Sequence, residues 1–291
     1  MKIPCSDIAT SLKSDLKKKV SDLKKRGATP KLVTVLIGTA ADQLSFVAIK
    51  KKVAKEIGVD FEFAHFKKCP SFLEFAKKLR DLAHKPSTTG VIIQLPLPSR
   101  LQSDTLYNYI PSVKDLEGHR TKSPHLPPLG LAVISLLKFV ANPHGHKKSI
   151  YPDQTNDKNL FKQMLKHKKI VLVGSGITGG HPIAQTLHDF KIGFINVNSR
   201  TNDPDQYYNE ADIIITSVGK KVIEPTMLKK GVILINTGLR KVGTKLRGDY
   251  NEEEVKNIAG WYTQTPGGTG PLDVLFLYKN LVNAAELQLS S

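Results

Sequence analysis

A strand expected at Lys169–Val173 runs straight into Gly174-Ser175-Gly176-Ile177-Thr178-Gly179-Gly180, and a helical pattern follows beyond Pro182, over about 181 to 190. Glycines at this spacing are a weak signal by themselves, since a tight turn can use them for packing alone. Between a buried strand and a helix they mean more. Such a turn lets backbone N–H groups and a helix N-terminus face a pyrophosphate, and it restricts the surrounding fold to a parallel, doubly wound sheet. Strands expected at Gly193–Asn198, Asp212–Ser217 and Val232–Asn236 continue that alternation.

The preceding half carries the same rhythm. Residues 6–26 place Ile8, Leu12, Leu16, Val20 and Leu23 on one helical face, and Gly27 ends the helix. A strand at 31–37, a helix at 42–57 closed by Gly58, a strand at 60–66, a helix at 71–84 and the strand Val91–Gln94 follow. Strand and helix in this order build a second parallel sheet. A helix is expected from Gly130 to Val140, the polar, Lys- and His-rich segment 141–168 reads as a linker or surface insertion, and a last helix covers about 271–288. The expectation is an α/β protein of two domains with a cleft between them. Residues 1–145 with the C-terminal helix 271–291 would form one domain, and 146–270 a Rossmann-like NAD(P)-binding domain.

Length and composition agree with an ordinary globular chain: 291 residues, 40% apolar and 24% charged, enough to bury a core. Charge does not follow the average. Lys and Arg total 43 against 26 Asp and Glu, a net +17, and such a field attracts phosphates, polyanionic small molecules or nucleic acid without specifying a fold. Basic residues are spread over the chain, with Lys17, Lys18, Lys19, Lys24, Lys25 and Arg26 on the first helix, Lys147 and Lys148 in the linker, and Lys220, Lys221, Lys229 and Lys230 later. Nucleic acid is therefore a candidate partner, but no RNA-binding motif with interleaved aromatics accompanies the charge. Two cysteines, Cys5 and Cys69, suit a reducing compartment and cannot supply a four-sulfur metal site, so no metal is expected. Apolar runs fall far short of the roughly 20 residues of a membrane span, and no signal core is evident. The expected location is cytoplasmic, with a mitochondrion as the alternative.

An NAD site usually places a carboxylate at the end of the strand after the glycines, where it holds the ribose 2′-hydroxyl. Here that stretch reads Asn198-Ser199-Arg200-Thr201, and Ser199 and Arg200 suit a 2′-phosphate. NADP is the expected cofactor. Asp203 and Asp205 lie close behind and leave NAD as the alternative.

Three further segments carry a resemblance: Ser45-Phe46-Val47-Ala48-Ile49-Lys50, Gln94-Leu95-Pro96-Leu97-Pro98, and Pro266-Gly267-Gly268-Thr269-Gly270-Pro271. With Lys114-Asp115-Leu116-Glu117-Gly118 and the glycine turn, their order and spacing resemble the methylenetetrahydrofolate dehydrogenase/cyclohydrolase family from about residue 6 to 288. The resemblance implies oxidation of 5,10-methylenetetrahydrofolate with NADP, hydrolysis of the methenyl product to 10-formyltetrahydrofolate, and a homodimer. Tetrahydrofolate would be the one-carbon carrier. Lys50 and Gln94 correspond to the family's catalytic pair, with Lys50 polarising the folate and handling protons, a task that requires it to be neutral for part of the cycle. Phe46, Glu117 and the loop of Pro266, Gly267, Gly268, Gly270 and Pro271 correspond to substrate-binding positions. Gly174, Ser175, Gly176, Gly179, Gly180, Ser199, Arg200 and Thr201 correspond to the cofactor site. Taken alone, Lys50-Lys51-Lys52 would read as a solvated helix face and Gln94 as a structural amide.

Several positions depart from the family pattern. Phe46 replaces the usual Tyr and lacks its hydroxyl, which bears on the hydrolytic step, although positions 46 and 50 share a helix face and the ring can still stack on folate. Glu117 replaces the pterin-anchoring Asp and is one methylene longer. The connection from Gly118 to Pro128 is short, Ser175 stands where a basic residue is common, Asn236 replaces an Asp, and Asp273 replaces a Thr. These changes motivate an alternative reading, a catalytically degenerate folate-enzyme fold used as a basic protein binding RNA or an assembly.

Overall fold

The computed structural model describes residues 1–145 and 150–290. In chain order the elements are α1 (Cys5–Lys25), β1 (Lys31–Ile37), α2 (Ala41–Ile57), β2 (Asp60–Phe66), α3 (Phe72–Ala83), β3 (Gly90–Ile93), α4 (Pro128–Ala141), α5 (Asp157–Met164) and β4 (Ile170–Val173). There follow α6 (Gly180–Asp189), β5 (Ile195–Val197), α7 (Pro204–Glu210), β6 (Ile213–Thr216), β7 (Ile233–Asn236), β8 (Arg240–Val242), β9 (Lys245–Arg247), α8 (Glu252–Val255), β10 (Trp261–Tyr262) and α9 (Thr269–Leu289). Two compact units result. The first comprises Thr10–Pro128 and Val274–Ser291, and the second Met1–Ala9 and Leu129–Asp273.

In the first unit three parallel strands run in the order β2-β1-β3. The central strand β1 is buried over its last six residues, which explains why Lys31–Ile37 reads as a nearly unbroken apolar run instead of an alternating one. One face of the sheet packs on α3 through Val33, Val35, Val91, Ile93, Phe75 and Leu79. Ser71 caps α3 with a reciprocal Glu74 contact, which fixes where that helix starts. The basic residues Lys17, Lys18, Lys19, Lys24 and Lys25 of α1, and Arg26 just beyond it, are exposed, whereas Leu12, Leu16, Val20 and Leu23 are buried.

In the second unit five parallel strands run β10-β7-β6-β4-β5, with β8 and β9 forming a separate antiparallel hairpin. Strands β4 and β6 are buried throughout, as expected for the middle of a sheet covered on both faces. The structure groups α4 with this unit, whereas the sequence reading kept residues up to 145 with the first. The contacts explain the grouping: Lys138 of α4 pairs with Asp157 of α5, and Phe139 meets Trp261 edge-on. Within the segment read as a linker, 141–168, the described part contains α5, so it is not a plain connection; Lys147 and Lys148 lie outside the described residues. The Lys138–Asp157 pair is buried on both sides, with the Lys138 Nζ at 2.7 and 2.8 Å from the two carboxylate oxygens.

Candidate active site

In the first unit Lys50 lies in the third turn of α2, and Gln94 follows the last residue of β3. The Lys50 Nζ donates to Gln94 Oε1 at 2.8 Å. The amide of Gln94 is itself held, since its main-chain N–H donates to Val35 O at 2.8 Å and its Nε2 donates to Leu95 O at 3.1 Å. Its side chain therefore presents one oxygen to the lysine. Phe46, one helical turn before Lys50, is 41% exposed and free to stack on a planar ligand. Gln43, on the same helix, donates to Pro96 O at 2.9 Å and ties α2 to the Leu95–Pro98 turn, whose Leu95–Pro96 peptide is cis.

The loop carrying Glu117 is tied to β3 by a parallel bridge between Val91 and Asp115. Directly after that bridge the chain turns at Leu116 and Glu117. The two groups before it are structural. Lys114 is buried and donates to Ala83 O at 2.9 Å and Lys85 O at 3.1 Å, and burial lowers its pKa. Asp115 is buried and accepts the Arg120 amide at 2.8 Å; burial raises its pKa despite that bond.

In the second unit Gly174 adopts φ +108°, and a Cβ there would stand 2.6 Å from Ser217 O, while a Cβ on Gly180 would stand 2.1 Å from Gly174 O. Only glycine permits this close return of α6 onto the end of β4. Ser175, Gly176, Ile177 and Thr178 are exposed between them, and a Cβ on Gly176 would meet open space. At the end of β5, Asn198 organises the turn: its N–H donates to Thr201 Oγ1 at 3.0 Å, and its Oδ1 accepts from the Arg200 amide at 2.9 Å. The side chains of Ser199 and Arg200 are left in solvent. The loop Pro266–Pro271 is anchored by Asn236, whose main-chain oxygen accepts from Thr269 Oγ1 at 2.7 Å and whose Nδ2 donates to Thr265 Oγ1 at 2.8 Å.

Residues 3–117 match the tetrahydrofolate dehydrogenase/cyclohydrolase catalytic domain, and residues 159–289 match the NAD(P)-binding domain of the same enzymes. The chain belongs to the tetrahydrofolate dehydrogenase/cyclohydrolase family. A curated relative, the bifunctional protein FolD of Moorella thermoacetica, is 32% identical over 286 residues, covering 96% of both chains. The solved bifunctional FolD methylenetetrahydrofolate dehydrogenase/cyclohydrolase of Campylobacter jejuni superposes with a TM-score of 0.85 at 26% identity and 99% coverage of each chain. A 5,10-methylenetetrahydrofolate dehydrogenase from the silkworm Bombyx mori gives 0.81 at 25% identity, covering 98% of this chain and 97% of its own. These matches give the RNA-binding alternative no support.

The family's dinucleotide fits the second unit. The exposed backbone from Ser175 to Thr178, with open space over Gly176, forms a cradle at the start of α6, and residues 198–201 offer donors and a cation without a carboxylate. Two residues of α9 escaped the sequence reading. Tyr278 donates through its hydroxyl to Lys50 O, and Asn280 donates to Leu116 O at 2.8 Å and Leu126 O at 2.9 Å, so α9 fixes both the lysine's helix and the loop carrying Glu117. Polar residues inside an apolar helical stretch were the available signal.

Proposed function

We propose that this chain oxidises 5,10-methylenetetrahydrofolate to 5,10-methenyltetrahydrofolate with NADP, and hydrolyses the methenyl product to 10-formyltetrahydrofolate, the second step being slow. The observation that carries this reading is the Lys50–Gln94 hydrogen bond of 2.8 Å in a chain of this family.

Lys50, when protonated, has three donors, and Gln94 Oε1 engages one of them, which fixes the ammonium's direction and leaves two for the folate. Placed against the bridge between N5 and N10, that charge polarises the substrate. NADP, when bound, supplies the hydride acceptor. In the hydrolytic step water adds to the methenyl carbon, the bond from that carbon to N5 breaks, and a proton is released. Lys50 in its neutral form can take the proton from the attacking water and return it to the departing N5. Phe46 supplies a stacking surface for the ring system but no hydroxyl to orient the lysine. The Glu117 carboxylate suits the adjacent N–H donors of the pterin's pyrimidine edge, which it can accept in pairs. Ser175 to Thr178 would hold the dinucleotide's pyrophosphate through backbone N–H groups, and Ser199 and Arg200 its 2′-phosphate. Glycines 267 and 268 let the Pro266–Pro271 backbone come close to a ligand.

Purified protein incubated with methylenetetrahydrofolate and NADP or NAD, with methenyl product and reduced cofactor followed by absorbance, tests the proposal. Reduction of NADP in preference to NAD is expected. Folded protein that turns over neither cofactor refutes it.

A further inference from the structure

Immediately after the Glu117 loop stands a histidine for which the reaction above has no use. His119 Nε2 lies 3.6 Å from Glu117 Oε2, a charge pair slightly too long for a hydrogen bond. The imidazole is stacked on the buried ring of Tyr107, with centroids 3.9 Å apart and planes 23° apart. Although the residue's backbone is open to solvent, its side chain is only 24% exposed, against 29% for Glu117. One face of the ring is thus stacked on Tyr107 while its Nε2 lies toward the carboxylate.

We propose that His119 is a positioning residue for substrate binding: seated on Tyr107, it holds the Glu117 carboxylate in the orientation in which it meets the pterin ring of the folate. The inference rests on the folate reading given above. Glutamate has one more rotatable bond than aspartate, and each free bond lowers the fraction of time its carboxylate spends in a binding geometry. A fixed cation beside it restores that fraction. The other charged or titratable groups around the imidazole are Asp115 on the same loop and Asp104 and Tyr107 on the short helical turn Asp104–Tyr109. The neighbouring Arg120 is engaged elsewhere, its guanidinium on Ile110 O. Burial favours the neutral imidazole, but Glu117, Asp115 and Asp104 together outweigh it and raise the pKa of His119. The pair is therefore intact at low pH and dissolves as pH rises through that raised value, where the imidazole loses its charge.

Equilibrium binding of tetrahydrofolate, measured across about pH 6 to 9 in the wild-type protein, His119→Gln and Glu117→Gln, tests this. Wild-type affinity is expected to fall roughly five- to tenfold as His119 deprotonates, whereas His119→Gln, which keeps a donor but does not titrate, should give a nearly flat profile. The His119 imidazole resonance should titrate at lower pH in Glu117→Gln than in the wild type. Superimposable binding profiles for the wild type and His119→Gln, or an unmoved His119 titration in Glu117→Gln, overturn the proposal while leaving the folate reading intact. Absence of tetrahydrofolate binding at every pH overturns both.

Discussion

The hydroxyl of Tyr278 donates to the main-chain carbonyl of Lys50 at 2.6 Å, joining α9 to α2 across 228 positions of sequence. Tyr278 is fully buried, and burial pushes its phenol well above the usual range, so the hydroxyl remains a donor at any working pH. Tyr278→Phe keeps the ring and removes the bond. It is expected to lower unfolding free energy by about 1 kcal/mol. Turnover should fall several-fold, because the lysine's helix loses an anchor. Denaturant midpoints and kcat measured on the same preparation check both effects.

Replacing Lys50 by Ala should reduce hydrolysis of the methenyl product by two to four orders of magnitude, the usual scale for a proton-handling group. Gln94→Ala should lose roughly tenfold to a hundredfold, since the amine survives but its direction is no longer fixed. The double variant should be no worse than Lys50→Ala, because the amide acts through the lysine. Additive losses would mean that Gln94 has a separate task.

Phe46 lacks a hydroxyl beside Lys50. Methenyl intermediate should therefore accumulate during wild-type turnover, and Phe46→Tyr should speed its hydrolysis by about tenfold while leaving hydride transfer within about twofold. Stopped-flow absorbance separates the two steps. Wild-type hydrolysis that keeps pace with oxidation would show the hydroxyl to be dispensable here.

Arg200 is held by its backbone at the end of β5 while its side chain is exposed. A charge-assisted contact with a 2′-phosphate contributes about 1.5–3 kcal/mol. Arg200→Ala is expected to raise KM for NADP roughly tenfold to a hundredfold and to leave KM for NAD nearly unchanged. A parallel loss with both cofactors would place the guanidinium elsewhere on the dinucleotide.

Asp157→Ala leaves Lys138 buried without its counter-ion. The expected destabilisation is about 3–5 kcal/mol, read from urea denaturation. An apolar pair, Lys138→Met with Asp157→Leu, should recover much of it, since the loss reflects an uncompensated charge more than the net worth of the pair.

Elements whose burial is uniform were the most readable in the sequence. Strand β1 coincides with the expected 31–37, and β4 and β6 agree with expectation to within about a residue at each end, because strands covered on both faces carry continuous apolar runs. The hairpin of β8 and β9 went unread: five of its six residues are exposed and none is buried, so no periodicity marks it. Asp157 lay in a stretch whose polarity suggested a linker, and only the buried Lys138 opposite explains it. The hydrogen bond between Lys50 and Gln94 joins two residues that the motifs singled out, whereas nothing in the sequence singled out His119, Tyr278 or Asn280. Their significance lies in partners distant in sequence or in a stacking geometry, neither of which local pattern records.

The first unit is discontinuous, made of residues 10–128 and the end of α9. During synthesis its sheet emerges early, but Tyr278 and Asn280 follow only after about half the chain has been translated behind it. Until then the carbonyls of Lys50, Leu116 and Leu126 have no α9 partner, and the surface that α9 later covers stays open. A nascent chain thus holds Lys50 and the Glu117 loop in an unfinished setting until α9 has been made.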